Sequence, residues 1–233
     1  MFVQLYLYEE IMLLALRDEK GTILTDFIEY SVAGAVIAEL LLQQRISVSD
    51  DKHKTVNVIN KRKIGDPIID ECLSLLIDNT KSIKLANIVS EFASIKKLRD
   101  KVASQLCQRG IVKEDEQKIL LIFTRKTYPE INPKPEQDII KRMESAMFQH
   151  NHQVAPRTLV LIALADSASL LAKNFNRDRL KTNEAHIKRL VKGDIAGAVN
   201  KEVIAACEAV VLVTVIMPAI MSTVLTTTVT INS

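Results

Sequence analysis

The sequence predicts a mainly α-helical protein, with a buried helical bundle ringed by amphipathic helices and a small protruding β-hairpin. The chain has six glycines and six prolines in 233 residues, too few for the frequent turns of a many-stranded sandwich. Its 48% of hydrophobic and 25% of charged residues are ordinary for a globular protein with a substantial core. Within Pro156–Leu171, two helical turns of aliphatic residues carry no charge, so this helix should lie at the centre of the bundle. We find no internal repeat or linker and expect one domain over residues 1–233.

The first half of the chain is predicted to combine helices with short strands. Asp26 and Glu29 are placed as a capping box, and Asp66 followed by Pro67 is the usual order at a helix start. The predicted elements are helices over 5–16 and 27–44, strands over 45–48 and 55–59, and a helix that begins after Asp66.

The second half is predicted to be helical apart from one hairpin. Gly110 is well placed to end a helix in the left-handed conformation. The hairpin is predicted over Ile111–Thr124, with its turn at the charged residues Lys113–Glu116. The predicted helices cover residues 81–93, 95–109, 136–148, 156–171 and 179–192, and a final helix begins near Ile195.

The C-terminal segment Ala209–Ser233 contains no charged residue, and it admits two interpretations. It is long enough to span a membrane, with Val210–Val229 as the anchor. Pro218 in its middle, the threonines of Thr223–Thr230 and the absence of a flanking basic cluster favour a second buried helix beside Pro156–Leu171. The start of the chain lacks the basic and hydrophobic regions of a secretory signal, so none is expected.

Motifs of catalysis are missing from the sequence. The six glycines form neither a phosphate-binding loop nor a dinucleotide fingerprint, and there is no nucleophile elbow or CxxC pair. The acidic pairs Glu9-Glu10, Asp50-Asp51 and Asp70-Glu71 are adjacent in sequence, which separates their side chains on a helix, so we interpret them as caps and exposed charges. We therefore expect no catalytic residue, no metal, no cofactor and no enzymatic activity.

Histidines and cysteines are not expected to form a metal site. His150 and His152 lie two apart in a polar connector, which favours solvated loop residues over ligands. Cys72, Cys107 and Cys207 are far apart in apolar helical patterns, so we interpret them as buried small side chains in a reducing compartment.

A local excess of positive charge is the informative polar feature. The helix predicted over 95–109 places Lys96 and Arg99 on one flank of its apolar stripe and Lys97 and Lys101 on the other. Such a face suits an anionic partner such as a phospholipid headgroup or a phosphate backbone, and the alternative is an ordinary solvated helix face. Because the net charge is only +3, tryptophan is absent and no aromatic residues alternate with the basic ones, nucleic acid is not an expected partner.

Six segments, taken in order, resemble the Golgi phosphoprotein 3 family, which carries the GPP34 domain. They are EEIMLLALRDEKG, AGAVIAELLLQQRI, DPIIDECL, LRDKVASQLCQRGIV, KILLIF and PRTLVLIALADSASLL, and together they span nearly the whole chain. Each pattern is degenerate, so the specificity lies in the series and its spacing. The resemblance implies a mostly helical domain with a protruding hairpin. No basic extension precedes the first helix, so a compact, prokaryotic-type member is expected.

The resemblance also implies a function. Eukaryotic members are peripheral membrane proteins that bind phosphatidylinositol 4-phosphate and help retain glycosyltransferases in the Golgi. Their headgroup pocket uses a tryptophan and an arginine from the second-helix region and two basic residues from the later basic helix. Lys96 and Arg99 fall at the two later positions, whereas Leu24 and Ala33 replace the tryptophan and the arginine. Half of the pocket is thus present, which favours a general contact with anionic membranes over phosphoinositide selectivity.

The predicted hairpin is a second candidate site. Ile119, Leu121 and Ile122 are expected near its edge, and an exposed edge strand invites pairing with another chain. The resemblance implies that the hairpin serves self-association or membrane contact. The alternative is that its apolar side packs on its own domain.

The leading hypothesis is a non-enzymatic cytoplasmic adaptor, peripheral on the cytosolic face of a membrane, which is the Golgi if the source is eukaryotic. Lys96 and Arg99 would engage anionic phospholipid, with Arg45, Lys97 and Lys101 as supporting charges. Membrane-protein clients and a homo-oligomer through the hairpin are the other expected partners. Two alternatives stay open, namely a protein-binding module without lipid affinity and a membrane protein anchored by its uncharged C-terminal segment.

Overall fold

The computed structural model describes residues 4–16, 20–25, 28–49, 54–79, 83–119, 123–149, 154–192 and 205–207. In these ranges the chain is mainly helical, as predicted, and its strands form two small antiparallel sheets. The helices are α1 (Leu7–Ala15), α2 (Ile28–Leu42), α3 (Pro67–Asp78), α4 (Leu85–Ala93), α5 (Leu98–Gln108), α6 (Lys134–Phe148), α7 (Pro156–Ser167), α8 (Leu171–Asn174), α9 (Arg177–Thr182) and α10 (Glu184–Val191). The strands are β1 (Ile46–Val48), β2 (Thr55–Val58), β3 (Ile83–Lys84), β4 (Asp115–Ile119) and β5 (Phe123–Thr127). β1, β2 and β3 form one sheet in that order, and β4 pairs with β5.

α7 lies at the centre of the bundle, as its charge-free sequence predicts. Every residue from Thr158 to Ala165 is buried, and α1, α2, α6 and α10 all pack against this helix. A helix that is apolar on every face is stabilised by burial on every side. The helix ends at Ser167, earlier than predicted, because Ser169 adopts a left-handed backbone with φ 56°. The N–H of Leu170 then bonds to the carbonyl of Ala165 at 2.8 Å and closes the helix end.

Two other helix ends form as the sequence predicts. Asp66 caps α3, since its side chain accepts hydrogen bonds from the N–H groups of Ile68 and Ile69. Gly110 ends α5 with φ 67°, a conformation that strains glycine little, and the N–H of Ile111 returns to the last turn of the helix. Both signals are local, so they can be recognised in the sequence without the tertiary fold.

The hairpin forms with a register different from the predicted one. β4 pairs with β5 from Asp115 opposite Thr127 to Ile119 opposite Phe123. The residues Lys113–Glu116 were predicted to form the turn, but Lys113 and Glu114 precede β4, and Asp115 and Glu116 belong to it. The side chains of all four are exposed. An exposed two-stranded ribbon tolerates charges on both faces, so this strand lacks the alternating pattern by which strands are recognised.

The apolar hairpin residues predicted to make contacts are placed only in part. Ile119 ends β4, whereas Leu121 and Ile122 lie outside the described residues. At its base the hairpin is tied to the bundle, because the N–H of Tyr128 donates to the carbonyl of Gly21 at 2.9 Å. Gly21 has φ 57°, and a Cβ there would lie 2.1 Å from the carbonyl carbon of Tyr128, so this approach requires glycine.

Two further boundaries differ from the prediction. Ile83 and Lys84, expected in a helix, pair with β2 as the edge strand β3, so α4 begins at Leu85. The helix predicted over 179–192 is two helices, α9 and α10, which meet at Asn183. Such short elements depend on their tertiary partners, which a local sequence pattern does not contain.

Some predicted features fall outside the described residues, namely Asp26, the pair Asp50-Asp51, both connector histidines, most of the final helix and the uncharged segment Ala209–Ser233. In the part of the chain that is described, no helix is long and apolar enough to cross a membrane. Cys72 and Cys207 are buried, as predicted, and Cys107 is half-buried.

Candidate functional site

A tight turn between α4 and α5 carries the cations predicted to bind anions. α4 ends where the side chain of Ser94 donates to a carbonyl of the last helical turn at 2.7 Å. Lys97 then takes a left-handed backbone with φ 58°, and α5 starts at Leu98, whose side chain is buried. The predicted helix over 95–109 is therefore wrong at its start, because Lys96 and Lys97 lie in the turn and only Arg99 lies on the helix.

The basic turn (Lys96–Arg99) presents cations at the open start of a helix. Lys96, Lys97 and Arg99 are all exposed. Among the described residues no side chain caps the start of α5. The N–H of Leu98 donates to the carbonyl of Ile95 at 3.1 Å, and that of Lys101 donates to the carbonyl of Lys97 at 2.9 Å. The N–H groups of Arg99 and Asp100 lie between them at the helix start, where unpaired donors and the helix dipole both favour an anion.

One carboxylate lies inside this positive region. Asp100 Oδ1 lies 3.4 Å from Nε of Arg99 and accepts a long hydrogen bond of 3.4 Å from the hydroxyl of Tyr128. Burial, together with the charge of Asp100, raises the pKa of Tyr128 to about 12, so the phenol stays a neutral donor at physiological pH. Asp100 therefore weakens the positive charge at Arg99 without removing it, since 45% of the arginine side chain stays accessible.

Lys101 is less available than its place in the sequence suggests. Its Nζ lies 2.6 and 2.7 Å from the two carboxylate oxygens of Glu71 on α3. No such ion pair joins Lys96 or Lys97 to another described residue. Lys96 and Lys97 thus lack a carboxylate partner among the described residues, and Arg99 lies beside them with 45% of its side chain accessible.

Arg45, the other predicted supporting charge, lies between α2 and β1 and so belongs to a different element. It is half-buried, and its Nε finds no hydrogen-bond acceptor among the described residues. Its carbonyl accepts hydrogen bonds from the N–H groups of Ile59 and Asn60 at 2.8 and 3.1 Å. The structure therefore associates Arg45 with the loop that follows β2.

Leu24 and Ala33, which the resemblance places at the other two pocket positions, are uncharged and at least half-buried. Ala33 is fully buried within α2. Leu24 is half-buried and lines a cleft of about 840 Å³ together with residues of α6 and α8, and its carbonyl accepts a hydrogen bond from Nζ of Lys173. The residues that line this cleft do not include the basic turn. The half of the pocket that the sequence lacks is thus not restored by these positions.

Buried ion pairs are the polar feature that the sequence analysis missed. Glu9 and Glu10, interpreted as caps and exposed charges, are buried in α1, and so is Glu39 in α2. Glu9 does cap α1, because its carboxylate accepts a hydrogen bond from the N–H of Tyr6 at 2.8 Å. A buried carboxylate must find a partner or lose its charge. Each one meets an arginine distant in sequence: Glu9 with Arg109 at 2.6 Å, Glu10 with Arg142 at 2.6 Å and Glu39 with Arg157 at 2.7 Å.

Burial shapes the proton affinity of this cluster. Loss of solvation raises the pKa of Glu9 and of Glu10, and the paired arginines only partly oppose that effect. Arg109, Arg142 and Lys134 line a cleft of about 650 Å³, and each of them forms an ion pair, with Glu9, Glu10 and Asp138 respectively. The cleft therefore has no excess charge that would attract an anion, and we assign the ion pairs a structural role.

A sequence signal for these pairs exists in retrospect. Glu39 is the one charge in the otherwise apolar run AGAVIAELLL, and Glu9-Glu10 interrupts a similarly apolar helix. A carboxylate in a helix that is buried on every face requires a cation, which the sequence alone does not locate.

Residues 7–207, which contain the basic turn and the hairpin, match the family described as Golgi phosphoprotein 3 (GPP34). The chain belongs to the GPP34 family. Vacuolar protein sorting-associated protein 74 of Eremothecium gossypii is 24% identical to it in an alignment of 203 residues that covers 72% of this chain and 61% of that protein. The protein of the same name in Schizosaccharomyces pombe is 25% identical in an alignment of 164 residues that covers 62% of this chain and 48% of that protein.

Membership in the GPP34 family confirms the resemblance found in the sequence. The chain spans 61% and 48% of the lengths of these two relatives. Their activities as whole proteins are therefore not assigned to this chain.

Proposed function

We propose that this GPP34-family chain is a non-enzymatic, peripheral membrane adaptor that binds anionic phospholipid headgroups through the basic turn. Lys96 and Arg99 are the principal contacts, with Lys97 as a further donor and Lys101 in a supporting role. The observation that carries the proposal is the set of exposed cations at a helix start that no described side chain caps. We take residues 1–233 as one GPP34-like domain that acts on the cytosolic face of a membrane, the Golgi in a eukaryotic source.

The chemistry suits a phosphate group. Lysine offers a mobile point charge, arginine adds a planar set of donors, and the N–H groups of Arg99 and Asp100 at the start of α5 can donate to the same anion. Basic residues near an anionic bilayer each contribute about 1 kcal/mol, so three of them give a reversible attachment that depends on salt. A peripheral adaptor needs this kind of contact, because it must leave the membrane again.

Headgroup selectivity is proposed to be broad. The positions that would supply a tryptophan and a second arginine hold Leu24 and Ala33, and Ala33 is buried. Phosphatidylserine and phosphatidylinositol 4-phosphate should therefore both support binding, with a preference set by headgroup charge. Membrane-protein clients, and self-association through the hairpin at Ile119, Leu121 and Ile122, remain part of the proposal as the adaptor's other partners.

Liposome co-sedimentation tests the proposal. Wild type should bind vesicles that contain phosphatidylserine or phosphatidylinositol 4-phosphate and should not bind neutral phosphatidylcholine vesicles. Lys96→Glu/Arg99→Glu should weaken binding by about 30-fold or more, since two attractive charges become repulsive. Arg177→Glu/Lys181→Glu changes the net charge equally at exposed positions of α9 and is the matched control.

Two results would overturn the proposal. Equal losses in the two double variants would mean that only net charge matters and that the basic turn is no site. Absence of binding to every vesicle would instead favour a protein-binding module, which acidic peptides could then probe.

A further inference from the structure

We propose that the loop from β2 to α3, Ile59–Lys63, is a second contact with an anionic lipid bilayer. Ile59 would enter the interfacial layer while Lys61, Arg62 and Lys63 bind headgroup phosphates. The inference shares with the proposed function only its ligand, because the loop and the basic turn belong to different elements.

An exposed apolar side chain marks the tip of this contact. The side chain of Ile59 is 61% exposed. In the described part of the chain, Ile131 is the only other large apolar residue that is mostly exposed, at 55%. Single exposed apolar residues are common, so exposure alone indicates little. Ile59 differs from Ile131 in being followed within two residues by three consecutive cations.

The charge of the loop is not neutralised. The segment from Thr55 to Gly65, TVNVINKRKIG, contains no acidic residue. Lys61, Arg62 and Lys63 are all exposed, and none has an ion pair with a described residue. Lys101 shows the contrast, because a carboxylate of α3 already holds it. In the described part of the chain no carboxylate therefore competes with phosphates for these three cations.

The loop is held in shape at its start. The N–H groups of Ile59 and Asn60 both donate to the carbonyl of Arg45, and the N–H of Arg62 donates to the side chain of Asn60 at 2.9 Å. These bonds fix the backbone between the apolar residue and the first cations. Arg45, predicted as a supporting lipid contact, therefore lies at the base of this loop.

The end of the loop is held as well. The carboxylate of Asp70 accepts hydrogen bonds from the N–H groups of Ile64 and Gly65 at 2.7 and 3.0 Å. A loop fixed at both ends loses little conformational entropy when it binds, so its side chains are organised in advance for a surface.

The combination of groups favours a bilayer over other anions. An apolar side chain beside several cations matches the membrane interface, where acyl chains lie directly below charged phosphates. A nucleic-acid strand would call for aromatic side chains on which bases can stack, and residues 55–65 contain none.

Fluorescence gives a direct test, because the chain contains no tryptophan. In Ile59→Trp the new indole is the sole tryptophan, and we expect its emission to shift to shorter wavelength on phosphatidylserine vesicles and to be quenched by brominated acyl chains. Ile131→Trp is the matched control and should show neither change. Equal shifts in both variants, or no shift at position 59 on vesicles that bind the protein, would overturn the inference.

Charge reversal tests the cations of the loop. Lys61→Glu/Arg62→Glu/Lys63→Glu should lower affinity for phosphatidylserine vesicles by on the order of 100-fold. The control Arg177→Glu/Lys181→Glu/Lys192→Glu alters the net charge equally and should change affinity by less than about threefold. Thermal unfolding of the loop variant should match wild type, because the replaced side chains are exposed. Equal losses in both triple variants would contradict a site at the loop.

The two membrane proposals fail independently. If the basic turn is no site, Lys96→Glu/Arg99→Glu in the Ile59→Trp background will leave the emission shift intact. If the loop is no site, Lys96→Glu/Arg99→Glu will still lose vesicle binding. In that case Ile59→Trp with all its basic residues intact will bind vesicles without any shift in its emission.

Discussion

The half-buried arginines of the ion pairs and the exposed cations of the basic turn carry the same charge in different surroundings. Arg109, Arg142 and Arg157 each lie 2.6 to 2.7 Å from a carboxylate that is almost fully buried. Lys96 and Lys97 are exposed and have no ion pair with any described residue. In the low-dielectric interior a charge needs a permanent partner, whereas at the surface water suffices. The comparison separates cations that hold the fold from cations that are available to a ligand.

Arg157→Met should give the largest effect on stability. The guanidinium donates to Glu39 at 2.7 Å and to the carbonyl of Leu5 at 2.9 Å. Its removal leaves a buried carboxylate unpaired, so the free energy of unfolding should fall by about 3–5 kcal/mol. Chemical denaturation monitored by circular dichroism measures this change.

An exposed pair serves as the control for that variant. Lys134→Met removes the partner of Asp138 at the surface of α6 and should cost about 0.5 kcal/mol or less. The double variant Glu39→Gln/Arg157→Met should recover part of the loss, because no buried charge then lacks a partner. An Arg157→Met protein as stable as wild type would remove the distinction between the two classes of cation.

Salt should weaken vesicle binding by the exposed cations more than it weakens the ion pairs of the core. Raising the ionic strength from about 0.1 M to about 1 M shortens the Debye length from about 10 Å to about 3 Å. Vesicle binding should then weaken at least about tenfold, since it depends on exposed charges. The unfolding midpoint should change little over the same range, because the buried pairs are screened less. Salt-independent binding would indicate that apolar contact dominates.

The pH dependence of stability should show that burial of the Glu10 carboxylate costs free energy when it is charged. Burial raises the pKa of Glu10 above its ordinary value of 4.5, so the folded chain holds this proton more tightly than the unfolded chain does. The resulting stability is present below pH 4.5 and is lost as the pH rises through the raised pKa. Relative to wild type, Glu10→Gln should therefore gain stability as the pH increases from about 4.5.

Glu184→Gln is the control for the pH series. This exposed carboxylate has a lowered pKa because Lys188 donates to it, so its small contribution is present at higher pH and is lost as the pH falls. The two variants should thus respond to pH in opposite directions. A common direction would mean that residues other than Glu10 set the wild-type profile.

Lys101→Met should give the smallest effect. It breaks the exposed pair with Glu71, so the free energy of unfolding should change by about 0.5 kcal/mol at most. Vesicle affinity should fall less than in Lys96→Glu/Arg99→Glu, since Lys101 is held by Glu71 and only supports the principal contacts. A loss as large as that of Lys96→Glu/Arg99→Glu would place Lys101 among the principal contacts.

Local signals account for the parts of the fold that the sequence predicted. The charge-free run in α7, the cap at Asp66 and the glycine at 110 each act within a few residues, and all three form as expected. Family membership was likewise recognisable from the series of apolar segments.

Tertiary context accounts for the parts that were missed. The left-handed backbone of Lys97, the register of the hairpin and strand β3 all depend on neighbours that a local pattern does not contain. The burial of Glu9 was hidden because its partner Arg109 lies 100 residues away. The basic residues of the turn were found, but the shape that presents them was not.

The pair between Glu39 and Arg157 also constrains the order of assembly during synthesis. The two residues are 118 positions apart, so α2 emerges long before the cation that neutralises it. Until α7 has been made, an apolar helix with an unpaired carboxylate cannot settle into a closed core. A nascent chain that stops before Pro156 should therefore keep its apolar helices exposed and remain a substrate for chaperones, because the helix at the centre of the bundle is still missing.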